Sequence, residues 1–168
     1  MKSKPINSHL LRIDQQLETS LVFLENHVLF LKTVGAKTPD AILKKIFLKM
    51  ASDVDSSYKR LSSYHRRRSS QIETNQEYPV SAEHYKLWEL LRKHYIFQKP
   101  ATGKAFGLRV VSTAEAAEKA IQFNLMGIAY FRICSAHTHK TFRRLTSAIE
   151  TSLTNIAADL SDLASASR

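Results

Sequence analysis

A chain of 168 residues is long enough to bury one full hydrophobic core, and 43% apolar with 24% charged residues is an ordinary balance for a globular protein. Four Gly and four Pro give too little punctuation for a many-stranded fold, and a single cysteine, Cys134, excludes an internal disulfide framework and fits a reducing, cytoplasmic setting. The net charge of +10 is uneven, with +7 in residues 1–70, +2 in 71–112 and +1 in 113–168, so an anionic partner would be drawn to the first half.

The N-terminal MKSKPINSHLLRIDQQ has positive charge without an apolar run, unlike a secretory signal, and no later window is long and apolar enough for a membrane span. From Leu10 to Leu31, apolar residues recur at spacings of three and four, which predicts a helix over 8–33 ended by Gly35. Thr38 as N-cap and Pro39 at the first helical position open a second helix, which runs to about Ser70. Its stripe includes Phe47, Met50, Val54, Ser57, Leu61 and Tyr64. Residues 71–79 break the pattern. Residues 80–97 predict a shorter helix with Leu87, Trp88, Leu91 and Tyr95 on one side, and KPATGKAFG, with its Pro and two Gly, reads as a loop. Ser112 and Glu115 form a capping box that starts the third long helix, striped by Ala117, Ile121, Asn124, Ile128 and Phe131. After a turn around Ala136 to Thr138, a fourth helix carries Phe142, Leu145, Ile149, Ser152, Ile156 and Leu160.

The two halves repeat. LVFLENHVLFLK (Leu21 to Lys32) lies on IQFNLMGIAYFR (Ile121 to Arg132), matching Phe23 with Phe123 and Phe30 with Tyr130. KKIFLKMASDVDSSYKRL lies on HKTFRRLTSAIETSLTNI, matching Phe47 with Phe142, Val54 with Ile149 and Ser57 with Ser152. The expected architecture is all-α: one domain over 1–168, with hairpins at 8–70 and 112–165 joined by a crossover at 71–111 that bears an extra short helix.

This arrangement, and the runs IFLKMASDV and TFRRLTSAI, resemble the ferritin-like superfamily, in particular its rubrerythrin-type members. The resemblance covers the four long helices. It implies a Glu on the first helix of each hairpin and Glu-x-x-His on the second, holding two metals in the core. Those positions are Leu24, Asn124, Val54 with Ser57, and Ile149 with Ser152. None is a carboxylate or imidazole, and one amide with two hydroxyls cannot neutralise two divalent ions. A degenerate member without a di-metal centre is expected, and with it no oxidase or oxygenase chemistry, no metal and no cofactor.

Other features are weighed beside this. Ser57, Asn124 and Ser152 share inner stripes and form a candidate buried polar layer, either fixing helix register or lining a remnant pocket. His27 falls off the Leu24–Val28 stripe and is expected at the rim. His137 and His139 lie two apart at a turn with no third donor beside them. Cys134 reads as a small buried hydrophobe. Walker, nucleophile-elbow, dinucleotide and zincin motifs are absent. Arg66, Arg67 and Arg68 complement the negative end of their own helix or meet phosphates, with Ser69 and Ser70 as neighbouring phosphorylation candidates. Lys44, Lys45 and Lys49 extend the basic set, and Trp88 and Tyr95 are candidate partner contacts on the crossover. The fourth helix, rich in Ser, Thr and Ala, reads as a dimer or partner face, or else as a helix covered by the crossover. The functional expectation is a non-catalytic protein-binding or scaffold bundle that associates with a protein partner or with itself. The alternative is a nucleic-acid-binding protein using the basic end of the second helix.

Overall fold

Among the described residues (9–69, 77–136 and 140–166), the computed structural model has nine elements. They are β1 (His9–Arg12), α1 (Ile13–Lys37), α2 (Ala41–Ser69), β2 (Glu77–Val80), α3 (Ala82–Arg92), α4 (Tyr95–Gln98), α5 (Thr102–Arg109), α6 (Thr113–Ser135) and α7 (Lys140–Ala166). The architecture is an all-α helical bundle with a two-stranded ribbon attached. α1 packs with α2 and α6 with α7, while α1 also meets α6 and α2 meets α7. Phe30 touches Phe123 and Phe23 touches Phe131, so α1 and α6 are antiparallel. α1 and α2 are antiparallel as a hairpin, which makes α2 and α6 parallel. The chain must therefore travel the length of the bundle between them, and that is why the crossover is long.

The ends of the first hairpin differ from the sequence reading. Residues 9–12 are a strand instead of a first helical turn, pairing antiparallel with β2 in the register Leu11↔Tyr78 and Arg12↔Glu77. The cause is a period-two pattern that a helical stripe hides: Leu10 is half exposed while Leu11 is buried. Gly35 lies inside α1 and is buried against α2, where an added Cβ would meet the Leu48 side chain at 3.2 Å. The helix ends two residues later. There Thr38 returns its backbone N–H and its hydroxyl to the Val34 carbonyl, at 3.0 and 2.7 Å. Thr38 is thus the C-cap of α1. The N-terminus of α2 is capped by Asp40, whose Oδ1 accepts from the N–H groups of Ile42 and Leu43, both at 2.9 Å.

The crossover holds three helices, not one, and the segment read as a loop is α5. Its glycines serve close packing. A Cβ at Gly103 would fall 1.8 Å from the Asn26 carbonyl oxygen, and one at Gly107 would fall 2.7 Å from Thr33 Cβ. Asn26 fixes the approach. Its amide donates to the carbonyls of Ile96 and Lys99 at 2.9 and 2.8 Å, and its Oδ1 accepts from the Gly103 N–H at 3.1 Å. Lys37 then closes the C-terminal end of α5, with Nζ donating to the carbonyls of Leu108 at 2.8 Å and Val110 at 2.6 Å. The start of α6 follows the expected box: Ser112 Oγ accepts from the Glu115 N–H at 3.1 Å. The Glu115 carboxylate reaches back to the Val111 N–H at 2.9 Å, one residue before the cap.

Many of the buried aromatic residues gather at the α1/α6 seam. Phe23, Phe30, Phe123, Tyr130 and Phe131 are all buried there. The crossover adds Ile96 and Phe97 to it, with Phe97 stacked on Phe23 at 4.7 Å between ring centroids. Each buried aromatic of this kind contributes about 2–3 kcal/mol of transfer free energy. The crossover is therefore part of the core, and it covers α1 and α6 while α2 and α7 face away from it.

Candidate functional site

The six positions implied by the resemblance are inner positions. Leu24, Val54, Asn124, Ile149 and Ser57 are buried and Ser152 is partly so. Among the described residues, no group of three or more His, Cys, Asp or Glu is placed to hold a metal ion. Among the described residues, no hydrogen bond joins the polar members of the set. Asn124 lies at the α1/α6 seam, where its Nδ2 donates to the Ala120 carbonyl at 2.9 Å. Ser57 and Ser152 instead share a cavity of about 510 Å³ between α2 and α7.

The buried polar groups that matter most were not on the expected stripe. His27 is fully buried, not at the rim, because α1 is covered on three sides, by α2, by α6 and by the crossover. Its ring stacks on Phe23 at 5.7 Å and meets the edge of Phe123 at 6.3 Å. Burial pushes its pKa down to about 4, and nearby Asn124 opposes that only in part. Among the described residues neither ring nitrogen has a hydrogen-bond partner, and the Asn124 Oδ1 also has none. His94 also meets Phe123, at 6.2 Å, and its pKa is lowered by burial and by Lys119. A second polar group centres on Gln16. Its backbone carbonyl accepts from Ser20 Oγ at 2.6 Å and Tyr130 Oη at 2.9 Å, and its side-chain oxygen accepts from Tyr78 Oη. These bonds tie α1 to α6 and β2. Cys134 is buried beside them, and burial raises its thiol pKa well above the ordinary value.

The basic residues divide differently from the sequence reading. Arg66 and Arg67 are exposed, but Arg68 is 6% exposed and donates to Tyr64 Oη at 2.9 Å, so it is not presented to a partner. Lys44, Lys45 and Lys49 are exposed on the same helix but lie at least about 25 Å along it from Arg66 at 1.5 Å per residue, too far to share one patch. What joins the basic end of α2 instead is the start of α7. Lys59, Arg60, Arg67 and Arg144 border a trough of about 570 Å³ floored by Tyr64, Leu145 and Ala148. The signal for this was the FRR run at the start of the fourth helix, which only the antiparallel docking of α2 on α7 places beside Arg60.

On the crossover, Trp88 is buried, with Arg92 over its ring at 4.6 Å, and so offers no partner contact, whereas Tyr95 is exposed. His137, His139 and Ser70 lie outside the described residues, as does the side chain of Ser69.

The trough is one part of a longer groove. It shares Arg60, Leu145 and Ala148 with the Ser57/Ser152 cavity. That cavity shares Lys49 and Asp159 with a third hollow of about 350 Å³ lined by Ile46, Met50 and Leu163. All its walls belong to α2 and α7. Of the two readings of the fourth helix, the alternative that the crossover covers it fails, because the crossover packs on α1 and α6. Among the described residues no helix is long and apolar enough to cross a membrane. Comparison with protein families, with characterised proteins and with solved structures finds no match to this chain.

Proposed function

We propose that this chain is a non-catalytic bundle of ferritin-like type that binds a protein partner or assembles with itself, in a cytoplasmic setting. The observation that carries this reading is the α2/α7 groove. It is long, it is apolar at its two ends around a polar middle that holds Ser57 and Ser152, and its borders are charged. Leu24, Val54 and Ile149 support the non-catalytic part, since they put hydrocarbon where a di-metal site needs donors. A groove between two helices is a common seat for a third, with apolar anchors below and charges at the rim.

One observation favours a second reading, nucleic-acid binding. Arg60, Arg67 and Arg144 converge at one end of the bundle, and phosphates are recognised by such convergence. The two readings separate by native mass spectrometry of the protein purified at low salt from its own host, with absorbance at 260 nm. Protein mass, without nucleic acid or metal, supports the first reading. Co-purifying nucleic acid that dissociates steeply as salt rises supports the second. Two metal ions per chain would refute the first.

A further inference from the structure

The α2/α7 groove runs from Ile46 to Arg67 of α2, about 30 Å at 1.5 Å per residue. Its charge is ordered along that length. At the end where α7 begins, Arg60 and Arg144 stand over Tyr64 and Leu145. At the other end, Asp159 and Asp162 flank Met50 and Leu163, with Lys49 opposite. α7 has the same order within itself. Its cations are Lys140, Arg143 and Arg144, and the charged residues after them are Glu150, Asp159 and Asp162.

We infer that this groove seats a second copy of the chain, with the two α7 helices antiparallel about a two-fold axis. The inference rests on the protein-binding reading above and names the partner. A two-fold antiparallel placement lays the basic end of each groove on the acidic end of the other. With Arg144 opposite the second copy's Asp159, the axis passes between Thr151 and Ser152, and Ala148 falls opposite the second copy's Asn155. These residues are small and lie on the groove, so the two backbones can approach closely at the crossing. Arg144, Ala148, Thr151, Asn155, Asp159 and Asp162 are all exposed and follow spacings of four and three, which draws one straight seam along a helix.

Other occupants fit the charge order less well. A uniformly acidic helix or a phosphate backbone would meet Asp159 and Asp162 at the far end, and an apolar helix would bury those two carboxylates with only Lys49 opposite them. Two helices presenting a face about 20 Å wide and about 30 Å long cover roughly 600 Å² per copy, or about 1,200 Å² in all. That area is the lower limit of stable interfaces, so the dimer is reversible and concentration-dependent.

Sedimentation velocity of the full chain, from about 1 to 200 µM, tests this. A shift from monomer to dimer across that range is expected. Two double variants, D159K/D162K and R60E/R144E, should each stay monomeric with unchanged helical circular dichroism, and an equimolar mixture of the two should dimerise again. A wild type that stays monomeric, a dimer that survives in both variants, or a mixture that remains monomeric overturns the inference. Should a variant fail to fold, T151C in the otherwise native chain replaces it. Mild oxidation must then give a covalent dimer through this position near the axis, and its absence under conditions where the wild type dimerises overturns the arrangement. A wild-type monomer that carries a different protein overturns this inference alone. Nucleic acid in place of protein overturns the reading beneath it as well.

Discussion

Replacing His27 should remove a defined part of the protein's acid sensitivity. In the folded chain the imidazole is buried between aromatic rings and its pKa is near 4, against an ordinary value of 6.5. In the unfolded chain it binds a proton as pH falls through about 6.5. The unfolded state then holds more protons than the folded state, so stability falls with pH. The contribution is complete above pH 6.5 and is lost as pH drops toward 4, where the folded state takes up the proton as well. Worked from these two values, the loss is about 1.4 kcal/mol at about pH 5.5 and about 2.5 kcal/mol at about pH 4.5. The assay is urea unfolding of wild type and H27F at pH 7, 5.5 and 4.5. Every other ionisable group is common to both proteins, so its contribution cancels in the difference. The advantage of wild type over H27F should shrink by those amounts, whatever its value at neutral pH. A difference that stays constant between about pH 7 and pH 4.5 would refute the reasoning, because it would mean that His27 is solvated or paired in the folded state.

The crossover supplies two further predictions. G103A should lose about 3 kcal/mol, since its Cβ would collide with the Asn26 carbonyl, whereas G35A, whose new methyl meets the Leu48 side chain at 3.2 Å and the Phe47 Cβ at 3.3 Å, should lose only about 1 kcal/mol by thermal unfolding. Equal stabilities of the two variants would contradict the assignment of α5 to the face of α1. N26A should cost about 3 kcal/mol, because it strands the carbonyls of Ile96 and Lys99 and the N–H of Gly103. Hydrogen exchange over residues 95–109 should then rise before that of α6 does, and simultaneous exchange would argue against a local role for Asn26. Cys134, buried with a raised pKa, should resist thiol reagents in the native state and react at a rate set by unfolding. Rapid labelling under native conditions would refute its placement.

The long helices were legible because hydrophobic periodicity is a local property of the chain. The stripe through Phe47, Val54 and Leu61 needs no knowledge of its neighbour to predict a buried face, and Ser112 with Glu115 marks a helix start from four residues of sequence. The inner positions Leu24, Val54 and Ile149 followed from the same rhythm, so their burial could be read before any fold was known. Signals that depend on a partner were misread. Gly103 and Gly107 look like loop residues until α1 lies against them, and His27 looks like a rim residue until a third neighbour closes over it. Arg68 and Trp88 look presentable until Tyr64 and the packing of α3 take them in. Conversely, Arg60 and Arg144 lie 84 positions apart, and nothing local relates them. The sequence by itself determined that four amphipathic helices would pair, because that depends on residue type at helical spacing. Only the tertiary structure decided that the crossover would cover α1 and α6, leaving α2 and α7 to form an open groove with its charges in order. That choice depends on Asn26, Gly103 and Phe97 meeting across some 70 residues of chain, a contact that exists only once the bundle has formed.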